Sequence, residues 1–258
     1  MTRVKICGCM RIADALAAAE SGADFIGIMF APNSRRRVEL REAALIARAV
    51  GAPLRDIEQD EPPPLHPNRT GGAKEWFWHG ADALERMLAR KRPLVVGVFE
   101  DQPIEEVNEI ADEAGIDLIQ LSGDEPWDDC MLANRPVINA LAPTAPSAPI
   151  DVAMLADSPP AASAPIDIAT LAADGPIALM LDPSRGRGTV ADLAVAARLA
   201  AQIPLWLAGG LTPDNVAAAI TTVRPWLVDV STGVETNGAK DPAKIAAFIH
   251  AAKETTVG

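Results

Sequence analysis

Leu205-Trp206-Leu207-Ala208-Gly209-Gly210-Leu211-Thr212-Pro213-Asp214-Asn215 is the stretch on which the fold turns. A short apolar run meets two glycines and then Thr-Pro, which opens an alanine-rich segment. That is the pattern of a buried strand leading straight into a helix, with Thr212 as N-cap and Pro213 at the first helical position. Next along the chain, Leu227-Val228-Asp229-Val230 runs into Ser231-Thr232-Gly233, a second strand ending in a small-residue turn.

Working outward to the N-terminus, the same alternation recurs. Apolar runs at 4–7, 25–29, 94–99 and 118–121 precede helical stretches at 12–21, 40–50, 104–114 and 126–133, and further runs lie at 137–140 and 177–181. Gly22, Gly51 and Gly115 follow three of the helices, where the left-handed C′ position favours glycine. The strands are nearly all apolar, as parallel strands covered on both faces are. Eight strand–helix units in 258 residues predict an α/β chain folded as a single (β/α)8 TIM barrel spanning 1–258. A doubly wound open sheet is the competing arrangement, but no G-x-G-x-x-G follows the first strand.

Two segments exceed the short connections of this architecture and are expected to be insertions. The first, 52–92 after the second strand and helix, holds Pro62-Pro63-Pro64, the aromatic cluster Trp76-Phe77-Trp78, and a helix expected at 82–91 with Leu84, Met87 and Leu88 on one face. The cluster reads as a dock for an extended proline loop, or alternatively as a partner epitope. The second, 143–176 between strands five and six, contains a near-duplication: Ser147-Ala148-Pro149-Ile150-Asp151 returns as Ser163-Ala164-Pro165-Ile166-Asp167. Two copies are too few for a solenoid.

Composition narrows the function. A formal charge of -12 with 23 basic and 35 acidic residues argues against a nucleic-acid backbone as partner. No apolar run approaches the roughly 20 residues of a membrane span. The N-terminus lacks the apolar core of a secretion signal. Cys7, Cys9 and Cys130 are too few and unevenly numbered for a disulfide scaffold, which points to a reducing, cytoplasmic setting. His66, His79 and His250 are far apart and form no metal-ligand pattern.

In a barrel of this kind the loops after the strands form the functional face. Few polar residues stand there: Cys7, Arg35-Arg36-Arg37, Gln120, Asp124, Asp182, Gly209-Gly210 and Ser231-Thr232-Gly233. The glycine turns after strands seven and eight bring backbone N–H groups close together, as a phosphate cradle requires. Cys7 is either a small buried hydrophobe or, as a thiolate, a proton acceptor. Asp182 is either a turn cap or a general acid. A guanidinium of the arginine triplet can clamp a carboxylate. Asp229, inside its strand, is expected to have a structural partner.

These residues stand in motifs that resemble the phosphoribosylanthranilate isomerase family of tryptophan biosynthesis. The matching pieces are Lys5-Ile6-Cys7-Gly8, Ala23-Asp24-Phe25-Ile26-Gly27, Ser34-Arg35-Arg36-Arg37-Val38, Ile119-Gln120-Leu121-Ser122-Gly123-Asp124-Glu125, the Gly209-Gly210-Leu211-Thr212-Pro213-Asp214-Asn215 run, and Val230-Ser231-Thr232-Gly233-Val234-Glu235 followed by Lys240-Asp241-Pro242. The resemblance implies an Amadori rearrangement of N-(5-phosphoribosyl)anthranilate by acid–base catalysis, with no cofactor and no metal. It makes Cys7 the base and Asp182 the acid. Arg36 would hold the anthranilate carboxylate, and Gly209, Gly210, Ser231, Thr232 and Gly233 the phosphate, with Gln120 lining the substrate site. The implied partner is this small phosphosugar-anthranilate, bound by a monomer or homodimer. The chain departs from the family pattern at Ser122, where a histidine is usual, and over Pro183-Ser184-Arg185-Gly186-Arg187-Gly188-Thr189. Two other readings compete: a non-catalytic phosphosugar-binding barrel, and an isomerase of another phosphoribosyl-amine.

Overall fold

The computed structural model describes residues 1–57, 73–141, 175–183 and 192–256. Eight parallel strands pair in chain order: β1 (Arg3–Cys7), β2 (Phe25–Met29), β3 (Leu94–Phe99), β4 (Leu118–Leu121), β5 (Val137–Leu141), β6 (Ala178–Leu181), β7 (Trp206–Leu207) and β8 (Leu227–Val230). β8 pairs with β1, so the sheet closes into a barrel rather than remaining an open doubly wound sheet. The described helices are α1 (Ile12–Glu20), α2 (Leu40–Ala49), α3 (Ala73–Arg90), α4 (Ile104–Ala114), α5 (Asp129–Leu132), α6 (Leu193–Ala200), α7 (Val216–Val223) and α8 (Pro242–Glu254). Gly22, Gly51 and Gly115 all take positive φ at helix ends, as expected.

Side-chain alternation splits the core in two. Val4, Ile6, Ile26, Ile28, Val95, Ile119, Leu179 and Val228 face outward into the layer beneath the helices. Cys7, Phe25, Val96, Val98, Leu118, Met180, Trp206 and Leu227 fill the barrel interior. Each large side chain so buried contributes roughly 1.5–3 kcal/mol. The same alternation puts Lys5, Gln120, Asp182 and Asp229 on inward rows.

Three expectations shift. The helix expected at 82–91 begins at Ala73, so Trp76-Phe77-Trp78 forms its first turns. Trp76 and Phe77 are buried, Trp78 is exposed, and Trp76 Nε1 donates to the Pro176 carbonyl at 2.9 Å. Gly80 does not end the helix: its bare backbone lies against the Ile177 carbonyl, which a Cβ would approach to 2.1 Å. Leu84, Met87 and Leu88 then join the interior cluster at the strand starts, and Glu85 binds the Arg3 guanidinium. α3 therefore covers the barrel's N-terminal end. Secondly, α7 starts at Val216; Thr212 precedes it by a turn, and its N–H is itself capped by Asn215 Oδ1 at 2.8 Å. Thirdly, the helix expected at 126–133 shrinks to Asp129–Leu132. The proline run of 52–92 and the duplicated sequence of 143–176 lie outside the described residues.

Polar groups at the N-terminal end act as staples. Buried Asp24 accepts from the Val4 N–H at 2.9 Å and pairs with Arg92 and Lys253, each at 3.1 Å. Buried Asp117 accepts from Leu54 and Val95 N–H groups and pairs with Lys91. No described helix is long and apolar enough to cross a membrane.

Candidate active site

The opposite end of the barrel is assembled differently. Cys7 is the last residue of β1 and stands in register with Gly27 of β2. A Cβ on Gly27 would come within 2.8 Å of Cys7 Sγ and 3.2 Å of Lys5 Nζ, so only glycine leaves room for both. Lys5, one step below on the same inward row, is wholly buried, and its Nζ lies 2.9 Å from Asp229 Oδ1. β1–β8 register sets Lys5 directly beside Asp229, which is the structural partner expected for that carboxylate. Burial pushes the Cys7 thiol up; the Lys5 charge pulls against that and Asp229 adds to it. Burial works against the Lys5 charge too, but Asp229 and Cys7 outweigh it and hold the ammonium above the ordinary lysine range. Cys9 and Cys130, also buried, are each pushed up to about 12, chiefly by desolvation.

Asp182 follows β6 immediately and continues the inward row of Ala178 and Met180. Its N–H donates to the Leu141 carbonyl at 2.9 Å, which fixes the backbone at the rim. Its charge reaches Asp229, whose carboxyl is raised by burial and further by Asp182. Cys7, Lys5, Asp229 and Asp182 thus share one electrostatic neighbourhood in the barrel mouth.

Arg36 reaches over the end of β1. A Cβ on Gly8 would stand 2.5 Å from its Cδ. Only 5% of Arg36 is exposed, and its Nε and Nη2 donate to Glu235 at 2.7 and 3.3 Å. Arg35 and Lys240 also bind Glu235, at 2.6 and 3.1 Å. Burial alone would raise that carboxyl, yet Arg36, Lys240 and Arg35 together pull it down to about 2. Arg36 Nη1 has no hydrogen bond among the described residues, which leaves a donor for a ligand. Gln120 on β4 donates from Nε2 to Ser122 Oγ at 3.0 Å, while its Oε1 is buried without a partner. A buried acceptor left so costs about 1–3 kcal/mol unless water or a ligand donates to it.

Gly209 and Gly210 follow β7 with φ 97° and 63°, and among the described residues their N–H groups donate to nothing. Asn215 fixes the turn by donating from Nδ2 to the Gly210 carbonyl at 3.0 Å. After β8, Ser231 leads into a short 3-10 turn, Thr232–Val234. Gly233 is pressed against that neighbouring turn: a Cβ there would lie 1.9 Å from the Leu211 carbonyl. Buried Lys240 holds the Ser231 carbonyl at 2.8 Å and adds positive charge. Free N–H groups and a cation side by side suit an anion. No group of three or more His, Cys, Asp or Glu side chains among the described residues could hold a metal ion. Arg185 and Arg187 lie outside the described residues.

Sequence reasoning gave no role to Lys5, Glu235 or Lys240. Lys5 had a signal: it sits two residues before Cys7, hence on the same strand face. Glu235 and Lys240 stand in the matching motifs, but what they do was hidden, since the arginine partners of Glu235 are about 200 residues away and Lys240 depends on the local ribbon Glu235–Thr236 with Ala239–Lys240.

The chain is similar to known proteins over most of its length. Residues 74–251 match the family model described as N-(5'phosphoribosyl)anthranilate (PRA) isomerase. The N-(5'-phosphoribosyl)anthranilate isomerase of Roseiflexus castenholzii is 39% identical over 258 residues, covering 97% of each protein. A multifunctional tryptophan biosynthesis protein of Phycomyces blakesleeanus is 36% identical over 97% of this chain, which spans 32% of that longer protein. Among solved structures, the phosphoribosyl anthranilate isomerase of Thermus thermophilus superposes with a TM-score of 0.70 at 28% identity, covering 99% of this chain and all of that one. A phosphoribosyl anthranilate isomerase in complex with reduced 1-(o-carboxyphenylamino)-1-deoxyribulose 5-phosphate gives a TM-score of 0.65 at 27% identity, covering 98% and 99% of the two chains. The chain belongs to the N-(5'-phosphoribosyl)anthranilate isomerase family.

Proposed function

We propose that the chain converts N-(5-phosphoribosyl)anthranilate to 1-(2-carboxyphenylamino)-1-deoxyribulose 5-phosphate by acid–base catalysis, within tryptophan biosynthesis. The observation that carries this reading is the pairing of two inward rim groups, Cys7 and Asp182, with the donor-rich turns at Gly209-Gly210 and Ser231-Thr232-Gly233. Asp182 gives its proton to the furanose oxygen as the ring C–O bond breaks, leaving a protonated imine. Cys7, as thiolate, takes the C2′ proton, and the electrons of that C–H bond neutralise the imine to an enol-amine. The Cys7 thiol then gives its proton to C1′ while the enol O–H proton passes to the Asp182 carboxylate, which yields the aminoketose and restores both groups. Each proton-transfer group of this kind is worth roughly 10²–10⁴ in rate.

Arg36 holds the anthranilate carboxylate with the guanidinium donor that Glu235 leaves over. Gly209, Gly210, Thr232 and Gly233 supply N–H groups to the phosphate, and Ser231 a hydroxyl. Gln120 Oε1 finds its missing donor on the substrate. The chemistry calls for neither cofactor nor metal. Three free, buried cysteines suit a reducing cytoplasm, and the enzyme works as a monomer or homodimer. Complementation tests the activity directly: expression in a tryptophan auxotroph lacking this isomerase restores growth without tryptophan. Failure of a well-expressed, folded chain to do so overturns the reading in favour of a phosphosugar binder or an isomerase of another phosphoribosyl-amine.

A further inference from the structure

Nothing in the acid–base reaction itself calls for a buried lysine. Yet Lys5 is enclosed in the barrel, its ammonium 2.9 Å from Asp229. A buried ion pair is a weak source of stability, because desolvating both charges offsets most of their attraction, and apolar replacements are often no worse. The pair therefore has little standing as a packing device, and its placement beneath the sulfur becomes the informative fact. Lys5 Nζ and Cys7 Sγ converge on the bare Cα of Gly27, at 3.2 and 2.8 Å from a Cβ built there. A β1 row that reads Lys5, Cys7 stacks ammonium under thiol on one face.

We propose that Lys5 is the positioning residue for the proton-abstracting sulfur: its ammonium, anchored by Asp229, stabilises the Cys7 thiolate inside the barrel mouth. This rests on the reading of Cys7 as the base. The other charged groups around the thiol are accounted for as follows. Asp229 on β8 opposes the thiolate but is spent on Lys5 at close range. Lys240, from the ribbon after β8, favours the thiolate more weakly and is committed to Ser231 and Glu235. Arg36, crossing Gly8 from the loop after β2, is neutralised by Glu235. Asp182 at the end of β6 acts on Asp229, and Cys9 lies outward of the row in the helix layer. Of these cations Lys5 favours the thiolate most, and it alone meets the sulfur at the bare Cα of Gly27. On proton abstraction the thiolate becomes a neutral thiol and the imine loses its charge, while the Lys5–Asp229 pair keeps both of its charges.

Two variants test this. Lys5→Met removes the ammonium and keeps the bulk. Lys5→Met/Asp229→Leu removes the pair without leaving a lone buried carboxylate, and guards against loss of folding, which circular dichroism checks. The rate of iodoacetamide alkylation at Cys7, followed by peptide mass against pH, reports the thiol midpoint. Cys9 and Cys130 are separated by their peptides. The midpoint rises in both variants, by about one pH unit or more in Lys5→Met, where each unit means tenfold less thiolate. The rise is smaller in the double variant, because Asp229 goes as well. In parallel, kcat on phosphoribosylanthranilate falls at neutral pH and recovers as pH rises, while KM stays close to that of the wild type. An unchanged Cys7 midpoint in folded Lys5→Met overturns the proposal. A raised midpoint with an unchanged pH–kcat profile overturns it by another route: it shows that Cys7 is not the base, and so separates failure of the parent reading from failure of the Lys5 coupling.

Discussion

Glu235 carries more of the site than its position in a surface ribbon suggests. Three cations converge on it, and among the described residues the Arg36 guanidinium donates its hydrogen bonds to Glu235 alone. Glu235→Gln removes the charge that holds them. Hydrogen bonds to charged groups are worth about 1.5–3 kcal/mol each, so KM is expected to rise by roughly tenfold or more with a much smaller change in kcat. Steady-state kinetics on phosphoribosylanthranilate checks this, and an unaltered KM removes Glu235 from the clamp. The pH sign follows from the lowered carboxyl. Its folded value of about 2 lies below the ordinary 4.5, so its contribution to stability is complete above about 4.5 and is lost as pH falls towards 2. Urea unfolding of wild type and Glu235→Gln should show a constant stability gap from pH 7 to 5 that narrows by pH 3.

Elements divide the labour between the two ends of the barrel. α3 packs at the strand starts through Leu84, Met87 and Leu88, whereas Cys7 and Asp182 stand at the strand ends. Leu84→Ala is therefore expected to cost about 2–5 kcal/mol of stability while turnover per folded molecule stays unchanged. Chemical denaturation combined with an active-fraction assay separates the two quantities, and a loss of kcat without a loss of stability contradicts the division. The turn pair after β7 and β8 should behave in the opposite way. Gly233→Ala drives a methyl into the Leu211 carbonyl and parts the two turns, so KM for the phosphorylated substrate and the inhibition constant of inorganic phosphate both rise. Strand and helix order was legible because periodicity is local: inward Lys5 and Cys7, outward Val4 and Ile6 follow from alternation alone. The start of α3 was not, because Trp76 and Phe77 resemble a loop anchor until the Pro176 carbonyl and the apolar layer beneath the helices give them a place to bury. α7 was expected to start early for a similar reason. Thr212-Pro213 carries the usual opening signals, but Asn215 captures the Thr212 N–H and delays the helix.

At the scale of the whole molecule, barrel closure turns residues scattered along the chain into one mouth. Cys7 and Asp182 were readable as candidates because strand ends are where a barrel keeps its polar groups. The Lys5–Asp229 pair and the Arg36–Glu235 clamp, joining residues more than 190 positions apart, emerge only once β8 meets β1. We propose one division of labour at this scale: a thiol on β1 and a carboxyl after β6 move the two protons of one rearrangement. Its most direct test is turnover of freshly prepared phosphoribosylanthranilate, followed by loss of fluorescence, for wild type, Cys7→Ala and Asp182→Asn, with folding verified by circular dichroism. Both variants are expected to remain folded and to lose roughly 10²–10⁴ or more of kcat. Near-wild-type turnover in either folded variant contradicts the claim.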